Sequence, residues 1–255
     1  MDALLLRFDA PLQSFGDVLV DQNGPTLPFP GRALLTGLLA NALGWQHGDF
    51  ELHQSLQARL TYAVRQDREG ELLQDYQSVD LGQDHMSEGG WTTRGVRSRR
   101  AGGNSGGTHL RFRDYHADAV YTLAVTLAPL DESPTLEDLA RALDSPARPL
   151  FLGRKACLPS SRLMIGRTRA ESLLEALARA PRLPNSRERL QLPAANTARA
   201  FWPESDPSQK PGTRVWPVFD ERDWANQVHT GRRFVREGPI VLAPRVSTAE
   251  PSVPT

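Results

Sequence analysis

The sequence predicts an α+β protein, because short apolar runs typical of strands alternate with stretches of helical periodicity. Their order up to about residue 165 is strand, helix, strand, long insertion, strand, helix and glycine turn. This order is typical of a βαββαβ unit, which predicts a ferredoxin-like domain. From Pro181 onward prolines interrupt the chain and long apolar runs are few. The remainder is therefore expected to be smaller and mostly β or irregular.

The first elements follow from spacing. Residues 3–8 (ALLLRF) form an apolar run that predicts a buried strand. Leucines at helical spacing predict a helix over residues 31–43, and Gly44 is a suitable C-terminal stop. Residues 51–56 add a helical turn, and the alternating residues 60–66 predict a strand.

The later elements are predicted in the same way. Residues 119–127 (AVYTLAVTL) form the strongest strand pattern, because β-branched and aromatic residues occur throughout. Residues 134–143 predict an amphipathic helix with acidic residues in its first turn. The remaining expectations are strands at 71–79, 214–219 and 233–235, a glycine turn at 149–155 and a helix at 170–180.

Composition limits the function classes. The net charge is +0 and the pI is about 7.0, which argues against a polycation that coats nucleic acid and allows one basic face. The single Cys157 excludes an internal disulfide and a cysteine-based zinc cluster, and predicts a packed core thiol. No secretory signal, membrane span, metal-ligand motif or phosphate-loop motif occurs, so a cytoplasmic protein without cofactor or metal is expected.

One stretch departs from this balance. Residues 89–113 contain six arginines and seven glycines but no carboxylate. Arginine binds phosphate oxygens bidentately and stacks on bases, and glycine lets a loop follow an irregular polyanion closely. The stretch therefore predicts nucleic-acid binding, with a solvated, disordered loop as the alternative.

Four segments carry a family resemblance: residues 4–16 (LLLRFDAPLQSFG), 29–44 (FPGRALLTGLLANALG), 113–125 (RDYHADAVYTLAV) and 149–159 (PLFLGRKACLP). In this order and spacing they resemble the CasD family of the RAMP superfamily. The resemblance implies a ferredoxin-like body over residues 1–165 with a protruding β-hairpin thumb at about 76–113. It also implies a variable C-terminal region, 166–255, with a disordered tail. The glycine-rich residues 102–107 depart from the expected thumb.

The family's function follows from the resemblance in the same way. It implies a non-catalytic subunit of the type I-E CRISPR Cascade, a ribonucleoprotein complex of antiviral defence. Such a subunit binds and caps the 5′ handle of the crRNA. It contacts the backbone subunit (CasC) and the large subunit (CasA), and reaches target DNA only through the complex.

Thumb residues are the first candidate RNA contacts. Arg94, Arg97, Arg99 and Arg100 are expected to clamp phosphates. Trp91 is either a stacking platform or a buried anchor at the base of the thumb. Arg111 and Arg113 would share one face of a strand, with Phe112 on the other, and either contact RNA or pair with Asp114 or another acid.

A second group lies outside the thumb. Gln13, Ser14 and Phe15 are expected to read base edges, with ordinary turn chemistry as the alternative. Arg32 stands at a helix N-terminus, where the helix dipole disfavours a cation, so a bound anion would explain it. Gly153, Arg154 and Lys155 form a turn that RNA can approach closely, and Arg7 faces the RNA groove or pairs internally.

Two other functions remain open. A metal-independent endoribonuclease needs a base, an acid and a cation, for which His109, Tyr115, His116 and Lys155 are candidates. Adjacent strand positions place Tyr115 and His116 on opposite faces, which argues against that role. The third hypothesis is an assembly subunit whose basic loop binds an acidic protein surface.

Overall fold

The structure is a computed structural model that describes residues 1–19, 21–80, 90–91, 97–98, 108–182, 196–208 and 212–243. Its helices are α1 (Arg32–Leu43), α2 (Phe50–Arg59), α3 (Leu136–Asp144) and α4 (Leu173–Arg179). Its longer strands are β1 (Asp2–Asp9), β4 (Leu60–Arg68), β5 (Glu71–Asp80), β8 (Thr108–Ala117), β9 (Val120–Leu127), β10 (Met164–Arg169), β11 (Thr197–Pro203), β12 (Arg214–Val218) and β15 (Arg233–Val241). Its short strands are β2 (Leu12–Gln13), β3 (Asn23–Gly24), β6 (Gly90–Trp91), β7 (Arg97–Ser98), β13 (Glu221–Asp223) and β14 (Val228–Thr230).

A seven-stranded antiparallel sheet runs through the molecule in the order β10-β1-β9-β4-β11-β15-β12. The first four strands come from residues 2–169 and the last three from residues 197–241. The boundary expected at residue 165 lies within β10. The four helices and this sheet confirm the α+β class.

The C-terminal third is more regular than its prolines predict. β11 and β15 pair over seven residues each, from Thr197↔Val241 to Pro203↔Val235. The prolines fit because Pro217 lies on the edge strand β12 and Pro203 ends β11. Strand pairing across the chain therefore overrides the local signal.

One face of the sheet carries the main core. Leu4, Leu6 and Phe8 of β1 pack with residues of α1 and α3 on this face. α1 ends where predicted, because Gly44 takes a left-handed conformation (φ 84°) and donates to the carbonyls of the last turn. α3 begins with a capping box between Thr135 and Asp138.

The opposite face is covered by α4. The small side chains of Ala63, Ala124 and Ala200 lie under this helix and let it approach the sheet. Cys157 belongs to the main core, and burial raises the pKa of its thiol, as expected of a packed residue. Within the described ranges no helix is long and apolar enough to cross a membrane.

A second sheet is built on β8. β8 pairs antiparallel with β5 over ten residues, and also with β2 and, in parallel, with β3. β5 and β8 form the two arms of a hairpin that we call the thumb hairpin. Because β2 and β3 flank the end of β8 that joins β9, that end is tied to the body of the protein.

Candidate nucleic-acid interface

The register of the thumb hairpin sorts its side chains into two faces. Arg113 lies opposite Asp75, Arg111 opposite Gln77, and Phe112 opposite Tyr76. Residues directly opposite each other share a face, and neighbours along a strand do not. The prediction that Arg111 and Arg113 share one face, with Phe112 on the other, is therefore confirmed.

The two hairpin arginines, Arg111 and Arg113, have no acidic partner among the described residues. Neither forms an ion pair with a carboxylate among the residues whose side chains are described. Asp114 Oδ1 instead accepts a hydrogen bond from Gln74 Nε2 at 3.0 Å, and Asp75 Oδ2 accepts one from Gln77 at 2.7 Å. Among the described residues the salt-bridge alternative for Arg111 and Arg113 is thus not realised.

Arg113 and Arg154 meet over the backbone of Gly24. A Cβ atom at Gly24 would lie 2.5 Å from Arg113 Nη1 and 3.2 Å from Arg154 Nη2. Arg154 is held there, because it donates to the carbonyls of Asp114 and Gly24 at 3.1 Å each and lies 4.6 Å over the Tyr115 ring. Two guanidinium groups held side by side, with no ion pair to a described carboxylate, favour an anionic ligand.

The glycine turn that carries Arg154 fits tightly against the N-terminal segment. Gly153 has φ +108°, and a Cβ there would lie 1.7 Å from the Ser14 carbonyl oxygen. The Ser14 N–H donates to the Leu152 carbonyl at 3.1 Å. Only glycine permits this approach, which fixes the turn. Lys155 follows it, exposed and without an ion pair to any described acid.

Gln13, Ser14 and Phe15 are buried at this junction. The Gln13 amide donates to the Ala119 carbonyl at 2.7 Å, and Ser14 Oγ donates to the Asp114 carbonyl at 3.0 Å. Phe15 packs 5.4 Å from His116 and 5.2 Å from Tyr121, between ring centroids. These side chains hold the turn against β8 and β9, and base reading by this segment stays a prediction.

A cavity of about 460 Å³ opens beside the turn. We call it the α1 cavity. Its walls are α1, residues 14–17, the glycine turn and the β13–β14 hairpin. Leu34, Leu38 and Trp224 supply apolar surface, while Lys155, Arg222 and His229 supply cationic or ionisable groups. Arg154 lines the cavity and also reaches Gly24, so the cavity and the arginine pair adjoin.

Arg32 has a partner from within the protein. Its backbone N–H donates to Asp220 Oδ2 at 2.8 Å, and its Nη1 lies 2.5 Å from Glu221 Oε1. The Asp220 carboxylate thus takes the position at the N-terminus of α1 where the sequence predicts an anion. Burial by itself raises the pKa of Asp220, but ion pairing with Arg233 and the Arg32 N–H outweigh it and lower that pKa.

The remaining predicted contacts have different positions. Arg7 is buried and pairs with Asp9 at 3.3 Å, the internal pairing that the sequence left open. Trp91 and Arg97 are paired residues of β6 and β7, whose side chains are not described. Arg94, Arg99 and Arg100 lie outside the described residues. Their roles in RNA binding stay predictions.

The groups considered for catalysis are not brought together on β8. Tyr115 is buried under Arg154, and His116 Nε2 lies 2.8 Å from the Leu27 carbonyl on the opposite face. His109 lies near the other end of the same strand. In the part of the chain that the structure describes, no three histidine, cysteine or acidic side chains are arranged to hold a metal ion.

Sequence reasoning missed the contribution of the β13–β14 hairpin. Arg222, Trp224 and His229 line the α1 cavity although they lie nearly two hundred residues from α1. The signal in the sequence is an arginine two positions before a tryptophan: Arg222 lies on β13, and its guanidinium group lies 5.5 Å over the ring of Trp224, which follows the strand.

Comparisons with known proteins identify the family of this chain. Residues 3–236 match the model of the family described as CRISPR-associated protein (Cas_Cas5). The CRISPR system Cascade subunit CasD of Escherichia coli (strain K12) is 32% identical over 176 residues, which are 68% of this chain and 75% of the relative.

Two solved structures are similar over almost the whole chain. One, a CRISPR RNA-guided surveillance complex, matches with a TM-score of 0.68 at 28% identity, covering 94% of this chain and 90% of that chain. A Cas protein crystal structure matches with a TM-score of 0.61 at 25% identity, covering 94% and 95%. The resemblance predicted from the sequence is confirmed, and this chain belongs to the Cas5 family of CRISPR-associated proteins.

Proposed function

We propose that this protein is the non-catalytic RNA-binding subunit of a type I-E Cascade surveillance complex, and that it binds and caps the 5′ handle of the crRNA. Family membership and the Cascade relative support this proposal. The strand order β10-β1-β9-β4, with α1 and α3 packed on one face, supports a ferredoxin-like body, expected over residues 1–165, whose fourth strand, β10, continues to Arg169. The thumb hairpin supports a thumb at about 76–113.

The observation that carries the proposal is the meeting of Arg113 and Arg154 over Gly24, directly beside the α1 cavity. Proteins bind single-stranded RNA through cations that follow the phosphates and pockets or aromatic faces that receive the bases. The root of the thumb hairpin offers both within one continuous surface. An RNA strand that crosses Gly24 would meet two guanidinium groups before it reaches the cavity.

The other face of the thumb hairpin supports a protein contact. Leu72 and Tyr76 are 68% and 58% exposed on this face, next to Phe112. Exposed apolar side chains that share a face are typical of interaction surfaces. We assign this face to the backbone subunit CasC. Contact with the large subunit CasA, indirect contact with target DNA and a cytoplasmic location belong to the same proposal.

The positions of Tyr115 and His116 support the non-catalytic assignment. A general acid–base pair must reach the same reacting group. Tyr115 is covered by Arg154, while His116 is engaged by the Leu27 carbonyl on the opposite face of β8. Among the described residues, Tyr115 and His116 therefore do not form the acid–base pair that the endoribonuclease alternative needs.

A binding and cleavage assay on one gel tests the proposal. The purified protein, with and without CasC, is incubated in EDTA with crRNA that carries or lacks its 5′ handle. We expect binding that depends on the handle, and RNA that stays intact. Binding should be weaker in Arg113→Ala and unchanged in Arg141→Ala, since the Arg141 side chain is exposed on α3 and paired with Asp138. Defined cleavage lost in His116→Ala would establish an endoribonuclease. Binding that ignores the handle would refute the capping role.

A further inference from the structure

The α1 cavity has the chemical character of a site for one nucleotide. Its volume of about 460 Å³ lies in the range of pockets that enclose small organic groups, roughly 300–1,000 Å³. Leu34 and Leu38 of α1 and the buried Trp224 form apolar walls. Phe219, which is 50% exposed, also lines the cavity and offers an aromatic face to a base.

Cationic and ionisable side chains stand on both sides of this cavity. Lys155 comes from the glycine turn, while Arg222 and His229 lie directly opposite each other on β13 and β14 and so share a face. None of the three pairs with a carboxylate among the described residues. The acids that line the cavity are engaged elsewhere, because Asp220 pairs with Arg233 at 2.6 Å and Asp17 Oδ1 accepts the Val18 N–H.

The β13–β14 hairpin is held in place by α2. Gln57 Nε2 donates to the Arg222 carbonyl at 2.9 Å, and Gln57 Oε1 accepts the Trp224 Nε1–H at 3.1 Å. Arg222 also donates to Gln227 Oε1 at 2.7 Å. Because these bonds fix Arg222 and Trp224 before any ligand arrives, the cavity is a preformed site.

We propose that the α1 cavity receives one unpaired nucleobase of the bound RNA, with Lys155, Arg222 and His229 contacting the adjoining phosphates. This inference rests on the proposed function, because it takes its ligand from the RNA that crosses Gly24. An apolar protein side chain would fill the walls but supply no anion to these three groups, of which Arg222 already bonds the neutral Gln227. A nucleotide places its base against the apolar walls and its phosphates near these three groups. The RNA interface then includes the C-terminal part of the chain.

Gly37 provides a matched pair of test variants. It lies on α1 in the cavity wall, and a Cβ there would lie 3.6 Å from Trp224 Cη2, an ordinary contact. Gly37→Ala therefore fits without rearrangement, whereas Gly37→Leu extends into the cavity. The RNA probes are the handle-bearing crRNA and a set in which each handle nucleotide in turn is abasic.

We expect one abasic position to lower the affinity of wild type and Gly37→Ala at least tenfold. Gly37→Leu should bind intact RNA at least tenfold more weakly and no longer distinguish that position. Phe219→Ala, at an exposed site that folding tolerates, should give the same pattern more weakly. Arg222→Gln should lower the salt slope by roughly 0.7 for one phosphate on a single strand.

Three outcomes would overturn the inference. If no abasic position stands out, or if both Phe219→Ala and a folded Gly37→Leu behave like Gly37→Ala, the cavity holds no base, although handle-dependent binding itself would stand. If free nucleoside monophosphates compete as strongly as RNA, the cavity is a small-nucleotide site. If wild type shows no handle-dependent binding, the proposed function fails, and the inference fails with it.

Discussion

Arginines in two regions of this protein differ in whether a carboxylate neutralises their charge. Arg65, on the α4 face of the sheet, is fully buried, with Nε 2.6 Å from Asp67 Oδ1 and Nη1 donating to the carbonyls of Leu177 and Ala180. Arg113 and Arg154, at the root of the thumb hairpin, meet over Gly24 without a carboxylate. The first arrangement stabilises the fold, and the second is suited to a ligand.

The difference shows that the partners of a cation, rather than its presence, identify a binding surface. Arg65 completes the C-terminus of α4, where unpaired carbonyls need donors. Arg233, at the start of β15, acts similarly, because it binds Asp220, which caps α1. Arg154 also bonds two backbone carbonyls, but neither Arg154 nor Arg113 pairs with a carboxylate among the described residues, so an external anion is the partner that their charge lacks.

The largest expected effect comes from breaking the buried group. Arg65→Met leaves Asp67 charged and buried and removes donors from two carbonyls of α4. We expect the free energy of unfolding to fall by about 3–5 kcal/mol, as found when one partner of a buried ion pair is removed. Urea denaturation followed by circular dichroism measures this change.

A second variant tests the physical reason. Arg65→Met combined with Asp67→Asn removes the buried carboxylate charge, which in the single variant keeps only the longer 3.7 Å contact with Arg182 as an ion pair among the described residues, so this double variant should recover part of the lost stability. A loss below about 1 kcal/mol in Arg65→Met, or no recovery in the double variant, would show that this buried pair does not hold α4 as argued.

Asp220→Asn should have the next largest effect. The substitution removes the charge that pairs with Arg233 and weakens the cap of α1, which we expect to cost about 2–3 kcal/mol at neutral pH. Because the pKa of Asp220 is lowered in the folded state, its contribution is complete above about pH 4 and is lost as the pH falls through the folded pKa. The stability difference between wild type and Asp220→Asn should therefore shrink below that pH. A difference that grows on acidification would contradict this account.

These contacts mark where sequence reasoning succeeds. Local signals predict α1 with its stop at Gly44, the capped helix α3 and strand β9, because propensity, spacing and capping act within a few residues. The same holds for the two faces of β8, since Arg111 and Arg113 follow the period of a strand.

The rest depends on pairings between distant residues. Arg32 and Asp220 are 188 residues apart, so the sequence shows an unexplained cation at a helix start but not the carboxylate that meets it. The strands β11 and β15 form through their mutual pairing in spite of nearby prolines. Residues 13–15 read as an exposed turn, yet contacts with β8 and β9 bury their side chains.

The hairpin arginines should affect RNA binding and leave folding unchanged. We expect Arg111→Ala and Arg113→Ala each to weaken handle binding by about 1 kcal/mol and to reduce the salt slope by roughly 0.7 per lost phosphate contact. The free energy of unfolding should change by less than about 0.5 kcal/mol. Filter binding measured from about 50 mM to about 300 mM salt gives both the affinity and the salt slope.

The opposite face of the hairpin supplies the control for this pair. Tyr76→Ala removes an exposed aromatic side chain without changing charge, so its salt slope should equal that of wild type. Equal slopes for Arg113→Ala and Tyr76→Ala would mean that the arginine face does not contact phosphates.

The smallest effect is expected from an arginine that is both paired and exposed. Arg179 lies on α4, close to the carbonyls that Arg65 binds, and pairs with Glu175 one turn earlier at 3.3 Å. Both side chains are open to solvent, so water and salt screen their attraction, and Arg179→Gln should cost no more than about 0.5 kcal/mol. This cost should disappear in about 1 M salt, whereas the loss in Arg65→Met should persist, because no solvent reaches that pair. Urea denaturation of both variants at the two salt concentrations therefore separates burial from mere proximity to the helix end. A large, salt-independent loss in Arg179→Gln would show that position along α4, rather than burial with a carboxylate, makes an arginine structural in this fold.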